Sequence, residues 1–163
     1  MNLTSDEWYS YGYRHGEISK YLDIMQYIFC NRYGVSDKHY NYCYKLKHLQ
    51  DQISCDLDQI IHNSYPPNMK LLQKYDISLG SVFYRINRHR IDDLEDLYNP
   101  CKPYPKTLLP QHKVDLIKFS AIIKDYIDEI HNVFFNNHNI TIKKFLKKLS
   151  QLDDFIINEA EYG

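Results

Sequence analysis

Two charged runs are the first places to look for chemistry. Tyr84-Arg85-Ile86-Asn87-Arg88-His89-Arg90 holds three of the chain's five arginines, and Asp92, Asp93, Glu95 and Asp96 follow directly. A guanidinium is a planar fork of donors that matches phosphate or carboxylate. Arg85, Arg88 and Arg90 are therefore candidates for nucleic-acid or anion binding, with nearby tyrosines as stacking surfaces. The bland alternative is a salt-bridged helix surface, since Arg88 with Asp92 and His89 with Asp93 are i, i+4 pairs. Their order, basic then acidic, is the less favourable one for the helix dipole. Arg90 and Asp93 fall on an apolar stripe, where a charged pair must be hydrogen-bonded to be tolerated, so they mark either a semi-buried bridge or a cleft.

Other combinations carry less. His48, Cys55 and His62 repeat at a spacing of seven. That interval is about 10.5 Å of helix rise, too far for two of them to share one metal ion. Asp128 and His131 form one Asp-x-x-His pair, where a di-iron bundle needs two Glu-x-x-His motifs and two further glutamates. No glycine-rich phosphate loop, nucleophile elbow or His-Glu-x-x-His motif occurs. No catalytic residue, metal site or cofactor is expected. Asp92, Asp93, Glu95 and Asp96, with Asp125, Asp128 and Glu129, loosely resemble the paired acidic clusters of all-helical nucleotide pyrophosphohydrolases. The resemblance implies magnesium held between two helices. A helical wheel, however, sets Asp125 and Asp128 opposite the apolar seam of their own segment.

Aromatic residues are the remaining resource. Sixteen tyrosines are present, and tyrosine and arginine are common interface anchors. Tyr9, Tyr13 and Arg14, together with Tyr40 and Tyr44, are the expected partner-binding residues. Tyr9 and Tyr13 share a face with Gly12, Gly16 and Lys20, away from the apolar seam. Either that face receives a second helix packed close over the glycines, or it is an exposed aromatic surface.

Composition narrows the classes. The 163 residues suit one domain, spanning 1–163, with a substantial core. Twenty Lys plus Arg against 21 Asp plus Glu argues against a protein devoted to duplex nucleic acid. Many Tyr, Ile and Asn but only two Ala point to an AT-rich genome, such as that of a phage, a large DNA virus, a host-restricted bacterium or a protist. Four cysteines without a Cys-x-x-Cys pair read as free thiols in a reducing cytosol. No apolar run approaches a membrane span, and residues 1–7 are polar, unlike a signal peptide.

The elements that must position these residues are helices. Trp8, Tyr11, His15, Ile18, Leu22, Met25 and Phe29 follow gaps of 3, 4, 3, 4, 3 and 4, the rhythm of one buried helical stripe. This helix should start at Ser5 and stop near Tyr33 before Gly34. A second helix, capped by Ser36, carries Tyr42, Leu46, Leu49, Ile53, Leu57 and Ile60 inward and Tyr40, Tyr44, His48, Asp51, Cys55 and His62 outward. Pro66 and Pro67 end it, and Met69–Tyr75 should form a helical turn or two. A third helix is expected from Leu79 to Tyr98, followed by a stiff proline-rich stretch over 99–111. A fourth helix runs from Gln111 to Phe135. A fifth follows from Thr141, with Lys143, Lys144, Lys147 and Lys148 read as a solvated face.

The expected fold is all-α: an antiparallel bundle of four long helices plus one or two short ones. The expected function is that of a non-enzymatic interaction protein that blocks or scaffolds a protein partner: an inhibitor, immunity protein or viral or phage accessory factor. A nucleic-acid-associated module using Arg85–Arg90 is the alternative, and a magnesium-dependent nucleotide hydrolase ranks third. A cytoplasmic location is expected, the host's cytoplasm if the source is viral, with no membrane partner and room for a homodimer.

Overall fold

The computed structural model of the chain describes residues 3–64, 70–72, 75–87 and 108–162. Helix α1 runs over Ser5–Tyr33. Its N-cap is Thr4, one residue earlier than expected, because a reciprocal box needs a three-residue spacing to Glu7. The Thr4 hydroxyl accepts from the Glu7 N–H, and the Glu7 carboxylate accepts from the Thr4 N–H, both at 3.1 Å. Gly34 ends the helix as expected, at φ 93°. Helix α2 covers Lys38–Ser64. Its cap is Asp37 and not Ser36: one carboxylate oxygen accepts from the N–H groups of His39 (2.8 Å) and Tyr40 (3.2 Å).

Helix α3, Pro110–Phe135, opens on a proline whose fixed φ suits a first turn. It closes on Asn136 and Asn137, both left-handed at φ 53° and 61°. Helix α4 spans Ile140–Tyr162. Asn139 caps it in place of Thr141, accepting from the Ile142 N–H at 2.9 Å. Asn139 also donates to Asp56 on α2 and, through its main chain, to His131 Nε2 on α3. One asparagine thus ties three helices at a single corner.

The helices form a closed ring in which α1 packs on α2 and α3, and α4 packs on α2 and α3. Every neighbouring pair is antiparallel. Trp8 meets Phe134 and Tyr21 meets Phe119, while Lys148 meets Tyr42 and Phe155 meets His39. Helices α2 and α3 therefore point the same way, and the chain between them makes one long crossover. The seams face inward as the 3–4 rhythm requires: Trp8, Ile18, Leu22, Met25, Phe29, Leu46, Ile53, Leu57, Ile123, Ile127, Phe145 and Leu152 are all buried. On α2 the buried stripe is turned slightly, taking in Cys43 and Ile61 and leaving Tyr42, Leu49 and Ile60 half-buried.

The crossover departs from expectation. Lys70–Leu72 (β1) and Ile77–Ser78 (β2) pair as a small antiparallel hairpin where helical turns were expected. Where a long helix was expected, Leu79–Ser81 makes one 3-10 turn and successive turns follow to Asn87, itself left-handed at φ 55°. The segment is flattened because it lies directly on α1. A Cβ on Gly12 would stand 2.3 Å from the Val82 carbonyl oxygen, and one on Gly16 2.4 Å from that of Ile86. Leu79, Val82, Phe83 and Ile86 are buried against the bundle. The glycine face of α1 does receive a close-packed neighbour, although as turns and not as a helix. The remainder of the expected helix, the Arg90–Asp93 pair and most of the proline-rich stretch lie outside the described residues. No described helix is long and apolar enough to cross a membrane.

Candidate functional site

The expected partner-binding residues do not form one surface. On α1, Tyr9 is half-buried, its ring stacked on Tyr75 at 4.0 Å between centroids. Tyr13 beside it is 43% exposed. Arg14 turns to the other side of α1, where it pairs with Glu129 and lies 5.2 Å from the Tyr126 ring centre. Helix α2 runs back along α1, with His39 against Phe29 and Lys47 against Asp23, so Tyr40 sits about 23 Å and Tyr44 roughly 15–20 Å from Tyr13 along the bundle. Tyr40 is half-buried in a cleft of about 260 Å³ shared with Asp23, Gln26 and Lys47. Tyr44 is 61% exposed.

The charged candidates are similarly dispersed. Arg85 is exposed; Arg88, Arg90 and the acidic run Asp92–Asp96 lie outside the described residues. Two of the acids of α3 are paired, Asp128 with Lys124 on its own helix at 2.7 Å and Glu129 with Arg14 on α1. His131 accepts the Asn139 N–H at 3.0 Å and is buried. Burial and the positive charge of Lys143 hold its pKa below the ordinary imidazole value. Among the described residues, no group of three or more His, Cys, Asp or Glu side chains could hold a metal ion. Cys55, in the outward row with His48 and His62, accepts a bond from the Tyr84 hydroxyl at 3.3 Å.

One arrangement with the look of catalytic chemistry sits inside the bundle. His15 Nε2 is 2.6 Å from Ser54 Oγ, and His15 Nδ1 is 2.8 Å from the Tyr126 hydroxyl. The Ser54 hydroxyl donates to the Gln50 carbonyl at 2.9 Å, and the Gln50 amide donates to the His15 carbonyl at 3.1 Å. Burial pushes the Tyr126 phenol well above its ordinary pKa, so it stays a protonated donor. With the serine proton donated to the Gln50 carbonyl, a neutral His15 protonated on Nε2 donates to Ser54 and accepts from Tyr126, whose hydroxyl also lies 3.4 Å from the Tyr11 carbonyl. A serine beside an imidazole is the geometry of an activated nucleophile. Here the serine proton is committed to Gln50, and Ser54 and His15 are 1% and 2% exposed. The network pins α1, α2 and α3 together. The heptad placed His15 on the buried stripe, but nothing in the sequence singled out Ser54 and Gln50 as its partners.

The open feature is a groove of about 640 Å³ between α2 and α4. Tyr44 and Leu49 line it from α2, with Lys45 and His48 beside them. Lys144, Lys147, Lys148 and Gln151 line it from α4. Behind it, the Lys148 ammonium sits 4.3 Å from the centre of the Tyr42 ring. Among the described residues no carboxylate lines the groove. It combines aromatic and aliphatic surface with four lysine side chains, of which Lys148 turns its ammonium back onto Tyr42. Of the five expected partner-binding residues only Tyr44 belongs to it. The lysine row read as a solvated face becomes one wall, because α4 packs against α2 as well as against its hairpin partner.

Comparison with known proteins identifies no relative: no family model, curated protein or solved structure matches the chain.

Proposed function

We propose that this chain is a non-enzymatic interaction protein that docks a protein partner in the α2–α4 groove. One observation carries the reading: Tyr44 stands 61% exposed on a well-packed helix, at the mouth of an apolar-floored, lysine-rimmed groove. Interface hot spots combine such aromatic anchors with a polar rim, and a rigid support lowers the entropy lost on binding. Among the described residues the buried Cys30 and Cys43 and the exposed Cys55 form no disulfide, which fits action in a reducing cytoplasm, the host's if the source is viral.

A nucleic-acid module is the second reading. It rests on the same lysines beside an exposed ring, since single strands use cationic grooves with stacking platforms. Affinity purification of the tagged chain from its source cells separates the two. The proposal expects one stoichiometric protein, retained by the wild type and lost from a Lys144→Glu/Lys148→Glu variant that melts at the wild-type temperature. Nucleic acid that salt strips away would favour the second reading. A partner held equally by the variant would remove the groove from the account.

A further inference from the structure

Resting on that docking reading, we infer that the occupant of the α2–α4 groove is an acidic peptide segment of the partner, carrying a large apolar side chain flanked by carboxylates. The argument is charge and shape. Four lysines, Lys45, Lys144, Lys147 and Lys148, line one groove of a chain whose net charge is −1, and among the described residues no carboxylate neutralises them from within the lining. The concentration is local: set apart from these four lysines, the rest of a chain of net charge −1 carries a formal −5, and beyond about 10 Å, the screening length at 0.1 M salt, it offers a polyanion no attraction. Its two walls come from antiparallel helices, with Lys144 to Gln151 covering about 10 Å of α4. That is two helical turns, the reach of one apolar anchor with a carboxylate on either side.

The lining chemistry separates this occupant from a nucleic acid. All four cations are lysines, point charges on long aliphatic stems, and no arginine fork for a phosphate is among them. Leu49 and the lysine methylenes make the floor aliphatic, which suits a buried Leu or Phe better than a row of bases. Ile140, 70% exposed, lies one turn before Lys144 on the same face of α4, outside the groove lining.

The test is fluorescence anisotropy with a labelled peptide of about twelve residues, one central Phe, and Glu three and four positions to either side. An otherwise identical peptide carries Gln for every Glu, and an oligo-dT of similar length is the competitor. The inference expects saturable binding of the Glu peptide and binding at least about tenfold weaker for the Gln peptide. It expects a similar loss for Tyr44→Ala and for Lys144→Glu/Lys148→Glu, and steep weakening as salt rises. Equal affinity for the Glu and Gln peptides would overturn the acidic occupant and leave the docking groove standing. Binding of the Glu peptide unaffected by the groove substitutions would overturn the site. Oligo-dT binding more tightly than the Glu peptide, or no peptide binding at all, would overturn the inference. In either case retention of a protein partner from source cells still judges the docking reading separately.

Discussion

Alanine at Gly12 should destabilise this protein, although the same change in an ordinary exposed helix stabilises it. Replacing an interior helical glycine by alanine is worth about 1 kcal/mol in the helix's favour. At Gly12 the new methyl would stand 2.3 Å from the Val82 carbonyl oxygen and 3.0 Å from Val82 Cγ1 and Ile86 Cδ1. The nearest obstacle is main chain, so no rotamer change relieves it, and the 82–87 segment must lift. Val82, Phe83 and Ile86 are 0%, 2% and 7% exposed, and full burial of each is worth about 1.5–3 kcal/mol. Losing roughly half of that burial, offset by the propensity gain, leaves a net loss of about 1–3 kcal/mol. For a chain of this size the melting temperature should fall by about 3–10 °C. Calorimetry or circular dichroism reads this directly. Gly80→Ala is the control: the nearest atom to its added methyl is His62 Cε1 at 3.9 Å, so its melting temperature should stay within about 2 °C. A Gly12→Ala protein that melts at or above the wild type would refute the close contact between α1 and the crossover.

Other consequences are separately measurable. The folded pKa of His131 is depressed, so the unfolded chain takes up its proton first as pH falls; the stability His131 contributes is full above pH 6.5 and is lost as pH drops through the folded value. Urea denaturation should show stability declining below pH 6.5, with a shallower decline in His131→Gln, whose side-chain carbonyl can still accept the Asn139 N–H; identical slopes would exclude this role. Ser54→Ala leaves the His15 Nε2 donor without its acceptor in a dry interior and should cost about 1–3 kcal/mol by denaturant titration. Brief iodoacetamide treatment of the native protein should label Cys55 ahead of Cys30 and Cys43, because Cys55 is exposed and burial pushes the Cys43 thiol far above its ordinary pKa.

What the sequence made legible was the part governed by local periodicity. The 3–4 rhythm marked the inward face of α1 and, with a slight turn, that of α2, and helices were expected over 111–135 and from 141 onward, where they are found. Caps were misplaced by one or two residues, because Ser, Thr, Asp and Asn compete for them and only geometry chooses. The crossover was misread because its apolar spacing imitates a helix; the feature that flattened it lies on α1, at Gly12 and Gly16, some seventy residues away. Tyr44 was recognised as an outward residue. The groove around it was not, because the contact between α2 and α4 joins two hairpins across the crossover, and no local pattern specifies which hairpin faces meet. For the same reason Tyr9, chosen with Tyr44 as an interface residue, is partly covered by Tyr75, a ring more than sixty positions further along.

The central claim is that a protein partner docks on the α2–α4 groove. Its most direct test is a photocrosslinking residue installed at position 44 and irradiated in the source cells, with position 13 as the comparison. The account predicts one discrete protein adduct from position 44, absent from position 13 and lost when Lys144→Glu/Lys148→Glu is added. An adduct that forms as readily from position 13, that survives the lysine substitutions, or that is nucleic acid and not protein would contradict it.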